Sequence, residues 1–79
     1  MTDKKIISDI KRIVKDHGRC HITIRRNCYE EVDERYQWVF VKGVEHIRPV
    51  CGYFLENEDY NLTILSQSAI HLTARITKS

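Results

Sequence analysis

Four histidines and three cysteines are the residues of this chain best suited to metal or nucleophilic chemistry. His17-x2-Cys20, across Gly18, has the spacing of half a structural zinc site, and His46-x4-Cys51 could supply the other half. A specific zinc signature pairs two tight knuckles, however, and Cys20 opens an alternating stretch that places it on an apolar face. The sequence therefore predicts packed thiols and no metal. A Cys–His nucleophile needs a thiolate beside a base and oxyanion donors, usually at a helix N-terminus or glycine-rich turn. The strongest helical pattern begins at the start of the chain, far in sequence from Cys20, Cys28 and Cys51. Acid–base chemistry needs a carboxyl held in a partly apolar cleft. The acids instead cluster in two loop-like runs, Glu30-Glu31-Val32-Asp33-Glu34 and Glu56-Asn57-Glu58-Asp59. No glycine-rich phosphate cradle is present. These patterns predict a protein with no enzymatic activity and no cofactor.

Binding chemistry is better represented. His21, Thr23, Arg25, His71, Thr73 and Arg75 fall on the wet faces of two alternating stretches. If those strands are neighbours, they form one polar, partly basic surface. RNA-binding sheets combine such charge with exposed aromatics on which bases stack, and Tyr36, Trp38 and Tyr53 are the available rings. The aromatics of the 36–42 stretch are read as core, and the net charge is only +2. Phosphate attraction, the main source of nucleic-acid affinity, is correspondingly weak. The leading expectation is a small regulatory protein of the inhibitor or adaptor type that acts through protein–protein contacts. A basic sheet face for RNA or DNA is the alternative. Tyr29, Glu30, Glu31, Glu34 and Tyr36 form one candidate partner contact, and Arg25, His71 and Arg75 form the other.

The elements that must carry these residues follow from periodicity. Ile6, Ile7, Ile10, Ile13 and Val14 recur at helical spacing between charged residues, which predicts an amphipathic helix over 3–17. Thr2 or Asp3 can cap its start and Gly18 can end it. The period then changes to two. Cys20–Arg25, Tyr36–Lys42, Tyr60–Ile64 and Ile70–Thr77 read as strands, and Ser66-Gln67-Ser68 reads as a turn. Pro49 interrupts the stretch between, so Val44–Arg48 is taken as extended and Val50–Leu55 as a further strand. Short connections favour an antiparallel meander. The expected fold is α+β: an N-terminal helix packed on an antiparallel four- to five-stranded meander sheet, or a sheet curled into a small barrel. That order is similar to Sm-like small barrels at the level of fold alone, and 52–64 lacks the spacing of their motif. Strand 36–42 is apolar on both faces, which calls for barrel closure, a homodimer or a partner to cover the second face.

Size and composition agree with one small domain. The chain has 79 residues, 42% hydrophobic and 30% charged, and a domain this size buries only about 60% of its unfolded surface. Residues 1–28 hold eight Lys/Arg against three Asp, so the charge is polarised. No apolar run reaches the roughly 18–20 residues a membrane span needs, and the first residues lack the apolar core of a secretory signal. A cytoplasmic protein with reduced cysteines and no membrane contact is expected.

Overall fold

The computed structural model describes residues 2–26 and 37–79. The N-terminal helix α1 spans Asp3–His17, as its periodicity predicts. The Thr2 hydroxyl caps it by accepting the Lys5 backbone N–H at 3.2 Å. Gly18 ends it at φ 84°, a left-handed conformation in which its N–H reaches the Val14 carbonyl. Strands β1 (Arg19–Arg25) and β2 (Trp38–Lys42) follow, then a 3-10 turn at Val44–His46, helix α2 (Ile47–Glu56), and strands β3 (Tyr60–Ser68) and β4 (His71–Lys78).

The sheet has the order β2-β1-β4-β3. It is mixed: β1 runs parallel to β2 but antiparallel to β4, and β3–β4 is a hairpin. The expected antiparallel meander is thus corrected at β1 and β2, where the twelve residues 26–37 are long enough for a parallel connection. The sheet stays open, with β2 and β3 as its edges, so the barrel alternative is also corrected.

The expected strand at Val50–Leu55 and extended piece at Val44–Arg48 are helical instead. Pro49 lies in the first turn of α2, where a missing N–H costs no helical hydrogen bond. Ile47, Val50, Cys51 and Phe54 then share one face at helical spacing, and the last three are buried. The predicted turn at 66–68 also moves. β3 continues through it with a bulge at Leu65, and the chain reverses at 69–70.

Both helices contribute to one core. Ile6, Ile10 and Val14 of α1 and Val50, Cys51 and Phe54 of α2 meet Cys20, Ile22 and Ile24 of β1, Val39 and Val41 of β2, and Leu72, Ala74 and Ile76 of β4. The registers Ile22↔Val39, Ile24↔Val41, Ile22↔Ala74 and Ile24↔Leu72 put these strand residues on one sheet face. Trp38 and Phe40 therefore stand on the opposite face, half-buried. The expectation that they are core holds instead for Val39 and Val41. His46 ties the start of α2 to the start of α1 by donating from Nδ1 to Asp3 Oδ1 at 2.6 Å.

Candidate interaction surfaces

The face of the sheet away from the helices gathers several of the predicted residues. β1 and β4 are direct neighbours, with Arg25 opposite His71 and His21 opposite Arg75. On the other side of β1, Arg25 meets Lys42, Thr23 meets Phe40 and His21 meets Trp38. The His21 and Trp38 rings are 5.1 Å apart at 44°. The side chains of Arg25, His71 and Arg75, assigned to one contact from alternation alone, do share this surface. None of the four strands contains an Asp or Glu, so the charges that the strands themselves place on the face are positive. The expectation that His21 and Thr23 lie on a wet face is corrected: both are buried within it. Thr23 Oγ1 finds no hydrogen-bond partner among the described residues.

At the far end of this face two serines clasp His71. Ser66 Oγ is 2.9 Å from Nε2 and Ser68 Oγ is 2.7 Å from Nδ1. A neutral imidazole has one N–H and one lone pair, so one serine must accept while the other donates. Ser68 Oγ also accepts the Ile70 N–H at 3.2 Å, which fixes the hairpin turn. Both ring nitrogens are engaged in holding the β3–β4 hairpin together.

The other predicted contact, Tyr29, Glu30, Glu31, Glu34 and Tyr36, lies outside the described residues. The half-sites weighed for zinc do not converge. Among the described residues no group of three or more His, Cys, Asp or Glu is placed to hold a metal ion, and His46 faces Asp3. Burial pushes the Cys20 thiol up to about 12 and raises that of Cys51, so neither is a thiolate near neutrality.

A surface that alternation did not reveal lies along β3. Ile64, Leu65 and Ile70 are 46%, 49% and 56% exposed, and all three sit in or next to an edge strand of nine residues. Ile64 points to the helix side of the sheet, opposite Ala74, but lies where neither helix buries it. Leu65 is left unpaired by the bulge. Natural edge strands are commonly protected by charge, proline or shortness. β2 is short and ends in Lys42, whereas β3 has neither charge nor proline. One signal was present in the sequence: the fifteen residues Tyr60–Ala74 contain no Lys, Arg, Asp or Glu in a chain that is 30% charged. A second was the adjacent pair Ile64-Leu65, since consecutive strand residues cannot both face the core.

Among the described residues no helix is long and apolar enough to cross a membrane. Compared with known protein families, curated proteins and solved structures, the chain matches none.

Proposed function

We propose that this protein is a small non-enzymatic binding module of the regulatory type, and that it engages a partner protein by taking up an extended segment along β3. The observation that carries this reading is the long, uncharged edge with Ile64, Leu65 and Ile70 exposed beside it. An added strand would satisfy the free backbone groups of that edge, and the aliphatic side chains would supply the apolar contact that gives strand addition its affinity.

Ile64→Lys and Leu65→Lys test it. Both sites are exposed, so each variant is expected to keep its melting temperature, with a stability change within about 0.5 kcal/mol. Partner proteins captured by the tagged chain from nuclease-treated native lysate should be lost from both variants. Capture at wild-type yield would sink the β3 assignment.

The second reading, nucleic-acid binding, is supported by the adjacency of β1 and β4, which puts Arg25 and Arg75 on one sheet face with Trp38 and Phe40, on strands that hold no Asp or Glu. On that reading Arg25→Ala and Arg75→Ala each lower affinity for RNA or DNA and reduce the salt slope by about 0.7–0.9. An unchanged slope in both variants, measured by fluorescence anisotropy across salt concentrations, would exclude the face.

A further inference from the structure

On the helix side, away from both surfaces above, the C-terminal half of α1 overhangs the end of the sheet where Tyr60 of β3 pairs with Lys78 of β4. The groove between them, about 680 Å³, is lined by Lys11, Arg12, Lys15 and Lys78 with Val14 and Tyr60. Four cations converge there and, among the described residues, no carboxylate lines the wall. The acids of the α2–β3 turn, Glu56, Glu58 and Asp59, line a separate hollow.

Asp59 acts on Lys11 by its charge, but among the described residues little neutralises the other three cations. Among the described residues Lys15 and Lys78 have no carboxylate within ion-pair distance. Arg12 reaches only Asp9, at 3.8 Å, and that oxygen already holds Lys5 at 2.8 Å. Attraction of basic side chains to the negative end of a helix explains Lys15 alone. Lys11 and Arg12 lie a turn earlier, and Lys78 comes from a strand. Two of the ammonium groups are steadied by aromatic rings: Lys78 Nζ lies 5.6 Å from the centre of the Tyr60 ring, and Lys11 Nζ lies 3.3 Å from Tyr53 Oη. A concave, one-signed surface concentrates field and favours a multivalent anion over single ions. We propose that this groove is a binding site for a chain of linked phosphates, free or carried by a nucleotide, with Lys15 and Lys78 as its principal contacts. The inference is independent of the β3 reading, which rests on Ile64, Leu65 and Ile70; the groove shares only Tyr60 with that strand.

The test is titration of the full chain with inorganic tripolyphosphate, with sulfate at matched ionic strength as the reference, followed by calorimetry and by backbone amide shifts. Tripolyphosphate should bind more tightly than sulfate and shift amides around Lys11, Lys15 and Lys78. Lys15→Gln with Lys78→Gln should weaken binding by about tenfold or more. A control pair with the same loss of charge elsewhere, Lys4→Gln with Arg26→Gln, should change it by less than about twofold. Equal losses in both pairs, binding no tighter than sulfate, or amide shifts confined to the Arg25 and Arg75 face would overturn the proposal. Given the expected result, adenosine triphosphate in place of tripolyphosphate separates the sources. Comparable binding extends the site to nucleotides, and none restricts it to free polyphosphate.

Discussion

Phe54→Ala is expected to destabilise the protein by about 3–5 kcal/mol, out of a total that for 79 residues is about 4–12 kcal/mol. Phe54 is 1% exposed and is the largest side chain that α2 buries. Its ring meets Tyr60 edge-on at 5.2 Å and Tyr53 at 5.1 Å. Truncation removes the apolar contact that fixes α2 to the sheet and leaves a cavity that the short helix cannot collapse into without losing Val50 and Cys51 as well. Thermal denaturation followed by circular dichroism should show a melting temperature lower by at least about 12 °C. Leu55 is 64% exposed, and Leu55→Ala should change stability by no more than about 0.5 kcal/mol. The pattern of sensitive positions also separates helix from strand. Residues 51 and 54 share a face in a helix but lie on opposite faces of a strand. If a bulky or polar residue at Cys51 were tolerated while Phe54→Ala unfolded the chain, the helical assignment of 47–56 would be wrong.

That segment shows where sequence and structure part. α1 was legible because its stripe, Ile6, Ile10 and Val14, recurs at every fourth residue and both caps are of standard type. β1 and β4 were legible because seven or eight residues alternate without interruption. In 47–56 the helical set Ile47, Val50, Cys51 and Phe54 is present, but Pro49 reads as a break in a strand ladder as readily as a first-turn helix residue. The period is short there, and local pattern cannot decide between the two. Strand direction was illegible for a different reason. Periodicity fixes which face a residue takes, not which strand it pairs with, and the parallel partnership of β1 and β2 depends on a connection whose length alone permits either choice. The same limit explains the site. Arg25, His71 and Arg75 could be placed on wet faces from alternation, yet only the β1–β4 pairing joins them. Ile64 and Ile70 looked like core residues because alternation is silent about how far the helices extend along a sheet. They lie beyond that cover.

Alkaline pH should destabilise the protein through Cys20. Its side chain is fully buried between the helices and the sheet, and loss of hydration pushes the thiol from an ordinary 9.0 to about 12, although a hydrogen bond from the Val39 backbone acts the other way. Between those two values the folded chain keeps the proton and the unfolded chain has lost it. The unfolded state then binds fewer protons, so stability falls as pH rises, by up to about 1.4 kcal/mol per pH unit and about 4 kcal/mol across the window. Below pH 9 this contribution is complete and flat. Cys51 is shifted the same way by burial and adds to the slope with the same sign. Tyrosines, lysines and Cys28 are common to the wild type and to Cys20→Ala, so the difference between the two isolates Cys20. Loss of the buried sulfur should make the variant less stable by about 1 kcal/mol at pH 8. The two curves should then cross as the wild type loses stability faster. Urea midpoints at matched ionic strength from pH 8 to pH 11 measure both arms. Parallel curves would mean that the Cys20 thiol ionises without unfolding, and hence that water reaches the seam between α1 and β1 that this fold keeps dry.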